Sequence, residues 1–182
     1  MEDHQLVKRV LQGNYQAYLE LIEKYKLLVV HMVGRVVIDE QDKEELCQDV
    51  FVKVYESLST FKFNSKLSTW IATISYRMAV NFAKKRSRRY DTQELDDVAF
   101  RVGHVDETFE EKDFSNFVHQ IVMQMPESYR VVLTLFYLEG FSYPEIVEIT
   151  GMPEGTVKNY LFRARQKLKD LAEPYVGKEI EI

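Results

Sequence analysis

A single cysteine, Cys47, stands among 182 residues, and that scarcity excludes an internal disulfide framework. The four histidines, His4, His31, His104 and His119, are scattered and share no ligand spacing with it, so no metal site is expected. Only seven glycines and four prolines punctuate the chain, and almost no run alternates apolar with polar residues. Sheet is therefore disfavoured and helix favoured. No window approaches the ~18 consecutive apolar residues of a membrane-spanning helix. The N-terminus MEDHQLVKRV lacks the apolar core of a secretion signal, so the protein is expected to stay in the cytosol. There is no nucleophile paired with a base, no pair of carboxylates in an apolar setting and no phosphate-cradling glycine loop, so an enzyme is not expected.

What is present is 46% hydrophobic content with 13% aromatics, enough for one medium core or two small ones. Helical periodicity fills residues 3 to 89. YDTQELDDVAFRVGHVDETFEEKD, residues 90–113, then holds nine acidic and two basic residues and no sustained apolar face. Periodicity returns at Phe114 and runs to about Tyr175, ahead of a short polar tail. The pattern predicts an all-α fold of two small helical domains, 1–89 and 114–175, joined by a flexible acidic linker, 90–113, with a tail at 176–182.

In the first block Asp3 can cap a short helix carrying Leu6, Val7, Val10 and Leu11, which stops at Gly13. Asn14 can cap a longer one whose face includes Tyr18, Leu19, Ile22 and Tyr25. A capping box from Asp42 to Glu45 is expected to open KEELCQDVFVKVYESL, on which Cys47, Val50, Phe51, Val54 and Leu58 form one apolar stripe. The opposite surface, Glu45, Gln48, Asp49, Val52, Lys53 and Glu56, is on its own a solvated face more readily than a partner site. After the gap STFKFNSKL, Ser68 can cap STWIATISYRMAVNFAKKRSRR, with Trp70, Ile71, Ile74, Met78 and Phe82 as its apolar positions.

That helix ends in five cations among six residues, inside a chain of net charge −5. Cations at a helix C-terminus complement the macrodipole, but like charges repel, and five exceed what a cap requires. A polyanion partner accounts for the run better. Phe61, Phe63 and Trp70 lie just upstream, a combination that could grip single-stranded bases, although each is individually a core candidate.

The second block carries the more specific signal. In ESYRVVLTLFYLEGFSYPEIVEITGMPEGTVKNYLFRARQKL a capping box spans Ser142 to Glu145, Gly151 supplies a tight turn, and Pro153 can open the last helix. Val157, Leu161, Ala164 and Leu168 must face a core. Lys158, Asn159, Phe162, Arg163 and Gln166 are left facing outward. This is the layout of a helix-turn-helix that inserts its second helix in the major groove; a three-helix protein-binding module with a basic rim is the alternative.

The two blocks together resemble the bacterial sigma-70 family of transcription initiation factors, in its small two-domain extracytoplasmic function (ECF) group, over nearly the whole chain. ELCQDVFVKVY, residues 45–55, is similar to the family's core-polymerase-binding helix, STWIATISYRMAVNFAKKRSRR to its promoter-reading helix, and GFSYPEIVEITGMPEGTVKNYLFRARQKL to its C-terminal helix-turn-helix, with the GTVxxxLxRAR run in full. The resemblance implies that Gln48, Asp49, Val52 and Lys53 dock on the clamp coiled coil of the largest subunit of core RNA polymerase. It implies that Asn64, Ser65, Lys66 and Ser68 help hold a base flipped from the non-template strand, and that Arg77 and Asn81, with the cations Lys84 and Lys85, meet the downstream promoter element. Lys158, Asn159, Phe162 and Arg163 would read the upstream element, with Thr156 and Arg165 on phosphate.

Two departures stand out: Phe136 replaces a frequent arginine, and Trp70 is followed by Ile71, not by a second tryptophan. A narrow choice of promoters is expected from the second. The implied partners are core polymerase, promoter DNA and an anti-sigma factor; no cofactor is implied. Two other readings remain open at this point. One is a dimeric helix-turn-helix regulator that is not a polymerase subunit; the other is a metal-dependent nucleic-acid enzyme using Asp96, Asp97, Asp106 and Glu107.

Overall fold

The computed structural model describes residues 2–90 and 111–173, with side chains at 2–88 and 117–173. Among these residues every regular element is helical. The N-terminal part consists of α1 (Glu2–Leu11), α2 (Tyr15–Gly34), α3 (Glu40–Ser57), a 3₁₀ turn at Leu58–Thr60 and α4 (Leu67–Tyr90). The C-terminal part consists of α5 (Glu111–Met123), α6 (Glu127–Leu133), a π turn at Thr134–Leu138, α7 (Tyr143–Thr150) and α8 (Glu154–Ala172). Most of the acidic linker, residues 91–110 with Asp96, Asp97, Asp106 and Glu107, lies outside the described residues, as does the tail.

Local chemistry explains most helix ends. Gly13 takes φ +81°, a left-handed value that glycine adopts without strain, and closes α1. Asn14 then caps α2, its side chain accepting from the Ala17 amide at 3.0 Å. Three expected caps differ. Asp3 lies inside α1 and turns to α2, accepting from Lys24 Nζ at 2.8 Å and from the Tyr25 hydroxyl at 2.9 Å. Asp39, not Asp42, caps α3, accepting from the Asp42 amide at 3.0 Å, while Asp42 pairs with Arg86 of α4. Ser68 falls in the first turn of α4, which starts one residue earlier. For Asp3 and Asp42 the carboxylate had two possible partners, and a neighbouring helix decided between them.

The core runs without a break through both parts. Ala17, Leu21, Val29, Met32 and Val33 of α2 meet Val50 and Val54 of α3 and Ile71, Ala72 and Ala79 of α4, all fully enclosed. Each large aliphatic side chain so buried contributes about 1.5–3 kcal/mol. Cys47 and Phe51 flank this stripe half-buried, and burial pushes the Cys47 thiol above its ordinary pKa, in keeping with an inert packing residue. Leu11 and Leu19, expected inside, are exposed, because α2 buries the neighbouring row through Ala17 and Leu21. In the C-terminal part Val131, Val132, Leu135, Ile146, Ile149, Val157, Leu161 and Ala164 form the corresponding core.

Candidate nucleic-acid interface

Three surfaces gather the residues singled out by sequence. On α3, Gln48, Asp49, Val52 and Lys53 are all exposed, on the side away from buried Leu46, Val50 and Val54. Val52 and Tyr55 are 54% and 50% exposed, so the face is not simply hydrophilic. Tyr55 is steadied by Tyr18, whose ring lies 4.9 Å away and whose hydroxyl donates to the Phe51 carbonyl at 3.0 Å. A charged rim around exposed apolar side chains fits a protein partner better than bulk water.

The second surface is the loop ahead of α4 and the outer side of that helix. Phe61 is buried and anchors the loop, packing on Phe63 at 4.6 Å and Trp70 at 5.3 Å between ring centroids. Phe61 is thus a core residue, whereas Phe63 is 44% exposed and its ring also meets His4 at 4.6 Å. Phe63 has φ +59°, a left-handed value that costs a bulky side chain about 1–3 kcal/mol. Such strain persists only where the surroundings enforce it, here the ring contacts on either side. Asn64 and Lys66 then stand exposed, with Ser65 and Ser68 half-buried beside them. Along α4, Arg77, Asn81, Lys84 and Lys85 are all exposed and follow i, i+4, i+7 and i+8, one side of the helix. The loop thus offers amide, hydroxyl and ammonium donors, and the row along α4 offers three cations and an amide.

The third surface is α7, the turn and α8. Glu145 Oε2 accepts from the Ser142 amide at 2.8 Å and its hydroxyl at 2.6 Å, and Pro144 occupies the first turn, so α7 starts where the sequence predicts. Gly151 ends it at φ +71°. Val157, Leu161 and Ala164 are buried, and Lys158, Asn159, Phe162, Arg163, Arg165 and Gln166 are exposed; Thr156 is intermediate. Phe162 is 62% exposed. Lys158 pairs with Glu154 at 2.6 Å, and that hydrogen bond raises its pKa, so it stays cationic. Phe136, in the place where an arginine was expected, stacks on Tyr143 at 5.3 Å, and the Arg165 guanidinium lies 6.0 Å from the Phe136 ring and 5.4 Å from the Tyr137 ring. The Phe136 and Tyr137 rings thus lie against the Arg165 guanidinium.

Sequence reasoning gave no hint of one part of this arrangement. Glu145 Oε1 reaches across to the N-terminal part, accepting from Lys66 Nζ at 2.9 Å and from the Thr69 hydroxyl at 3.4 Å. Burial alone would raise the Glu145 pKa, but the Ser142 hydrogen bonds and Lys66 bring it down to about 2. On the other side of the contact, His31 Nδ1 lies 2.5 Å from Glu139 Oε1, and buried Arg35 donates from Nε to Thr134 Oγ1 at 2.7 Å. Arg35 Nη1 is 3.1 Å from His119 Nδ1. Burial, then Arg130, lowers the Arg35 pKa, and burial, then Arg35, lowers that of His119. No local periodicity announces these pairs, which join residues 76 to 108 positions apart. Among the described residues, no group of histidine, cysteine and acidic side chains could hold a metal ion, and no helix is long and apolar enough to cross a membrane.

Comparison with known proteins agrees with this geometry. The family model for sigma-70 region 2 matches residues 21–89, and that for sigma-70 region 4 matches residues 118–168. The chain is 33% identical to the RNA polymerase sigma-H factor of Pseudomonas aeruginosa, over 95% of each chain. It is 30% identical to the ECF RNA polymerase sigma-E factor of Haemophilus influenzae, over 96% of this chain and 97% of that one. Among solved structures, CnrH in complex with the cytosolic domain of CnrY is similar with a TM-score of 0.68 at 20% identity, covering 95% of this chain and 98% of that one. The sigma factor RpoE in complex with the anti-sigma factor NepR, from Bartonella quintana, gives 0.66 at 21% identity, covering 85% of this chain and 97% of that one. At those identities the two structures support the fold, and the two relatives carry the assignment: the chain belongs to the sigma-70 family of RNA polymerase sigma factors, in its ECF group.

Proposed function

We propose that this protein is a promoter-specificity subunit that binds core RNA polymerase, directs it to promoters carrying two sequence elements and assists strand opening, without catalysing a reaction itself. The observation that carries this reading is the presence on one family member of an exposed α3 face built around Val52 and Tyr55 together with an exposed cationic and amide face on α8. Gln48, Asp49, Val52 and Lys53 are the proposed contacts to the clamp coiled coil of the largest polymerase subunit. Asn64, Ser65, Lys66 and Ser68 are proposed to hold a base unstacked from the non-template strand; unstacking takes a few kcal/mol, so a pocket that binds the base makes melting selective. Arg77, Asn81, Lys84 and Lys85 extend that contact along the downstream element. Lys158, Asn159, Phe162 and Arg163 read the upstream element, and Arg165 and Thr156 meet phosphate. The protein would act in the cytoplasm, with an anti-sigma factor as a further partner, as in the RpoE complex.

The test is reconstitution with sigma-free core polymerase and genomic DNA fragments, followed by sequencing of the transcripts. Discrete start sites that share two upstream motifs are expected. The Asp49→Ala plus Lys53→Ala variant should lose at least about tenfold in initiation while keeping its helical spectrum; both side chains are exposed, and surface changes usually shift stability by within about 0.5 kcal/mol. Tight duplex binding by the protein alone, with no initiation, would instead identify a regulator that is not a polymerase subunit.

A further inference from the structure

Two buried guanidinium groups, Arg35 at 8% and Arg130 at 7% exposure, form no ion pair among the described residues. Arg35 donates from Nε to Thr134 Oγ1 at 2.7 Å, and its Nη1 lies 3.1 Å from His119 Nδ1 and 3.7 Å from Met123 Sδ. None of these partners is an anion, and Nη2 makes no hydrogen bond among the described residues. The acids nearby are already engaged, Glu40 by Lys43 and Glu139 by His31. The C-terminal end of α2, where Arg35 sits, offers only about half an elementary charge, and Arg130 adds positive charge again. Glu127 acts on Arg130. A buried cation without a counter-charge is among the most destabilising groups that a fold can hold.

Arg35 and His119 line a cleft of about 700 Å³ whose other walls are mostly aliphatic: Val30 and Val37 from the N-terminal part, and Val118, Val122, Leu138 and Leu168 from the C-terminal part. Apolar walls left unpacked, beside one charge left unanswered, are the two halves of a site for an amphipathic anion. Tyr137 apart, the apolar lining offers no flat ring to stack on, so an alkyl chain suits it better than an aromatic acid. We propose that this cleft binds a medium-chain alkyl carboxylate of about ten carbons, its carboxylate on the Arg35 guanidinium and its chain along the valine and leucine walls. The planar fork of arginine matches a carboxylate with two parallel hydrogen bonds, which a lysine ammonium does not. The lining shares no residue with the contacts proposed above for polymerase and DNA, so the site stands independently of that function.

The test is isothermal titration of the full chain at neutral pH with decanoate, kept below the concentration at which it forms micelles. One site with Kd below about 1 mM is expected. Octanoate, shorter by two methylenes, should bind about fifteenfold more weakly, each buried methylene being worth about fourfold. Decanol carries the same chain without the charge and should bind at least about tenfold more weakly than decanoate. Leu138→Glu puts a competing carboxylate on the wall, and Val30→Trp fills the cleft; both positions are partly exposed, at 55% and 39%, and both variants leave Arg35 in place. Each should weaken decanoate binding at least about tenfold. Arg35→Met should do the same; should it lose its helical spectrum, because Arg35 also holds Thr134, the two wall variants decide. No binding of decanoate, equal affinity for decanol, or undiminished binding in both wall variants would overturn the proposal.

Discussion

The two surfaces proposed to face DNA differ in how far the rest of the fold engages them. On α8, Lys158, Asn159, Phe162 and Arg163 are exposed, and among the described residues Lys158 meets Glu154 one turn away and the Tyr143 ring. On the loop before α4, Lys66 and Thr69 are held by a helix of the other domain, and Phe63 is kept in a left-handed conformation by rings on both sides. Whether a side chain on such a surface stands clear is therefore set by what the rest of the fold brings against it, not by its own helix.

The largest expected effect tests the α8 surface. Lys158→Ala with Arg163→Ala should weaken recognition of the upstream element by at least about thirtyfold, each lost base contact being worth ~1–3 kcal/mol. Binding to core polymerase and the distance between domains should stay as they were; a simultaneous loss of polymerase binding would erase the division between surfaces. Next is Gly151→Ala. An added Cβ there meets nothing within 4 Å, so its cost is the left-handed φ of +71° alone, about 1–2 kcal/mol. Each kcal/mol corresponds to a fall in Tm of about 2–4 °C in a chain of this size. Amide exchange should quicken in α7 and α8 more than in α2 to α4; equal quickening would show that the two parts unfold as one, and the contrast would dissolve. The smallest effect follows pH. The Glu145 carboxyl sits near 2 against an ordinary 4.5, so the stability it adds is complete above about pH 4.5 and fades as pH falls toward 2. The Tm difference between the protein and its Glu145→Gln variant should be largest near neutrality and shrink across that window. A constant difference would mean that charge is not what Glu145 contributes.

The C-terminal helix-turn-helix was legible in the sequence because its signals are local. Ser142, Pro144, Glu145 and Gly151 fix the ends of α7 within ten residues, and the spacing of Val157, Leu161 and Ala164 fixes which side of α8 faces out. The outer face of α3 was equally legible from Val50 and Val54 behind it. Helix starts governed by a neighbouring helix were not: Asp3 serves Lys24 and Tyr25, and Asp42 serves Arg86, so each gives up the capping role that its residue type suggests. Leu11 and Leu19 misled because an apolar residue at a stripe's edge is placed by the partner's width, not by its own spacing. Least legible was the second oxygen of Glu145. Its partner lies 76 residues away, and nothing near either residue encodes the pairing.

The π turn at Thr134–Leu138 carries a consequence of its own. Its wider loop is tied by the Glu139 amide to the Thr134 carbonyl at 3.0 Å, and the Phe141 amide returns to the Leu135 carbonyl at 2.9 Å. An α-helix turns about 100° per residue, so an extra residue accommodated in one turn advances everything after it by that angle. The direction in which the chain leaves α6 toward Gly140 thus depends on a single residue's worth of phase. Removing Phe136 or Tyr137 to restore the α-helical count would also take away a ring that lies beside Arg165.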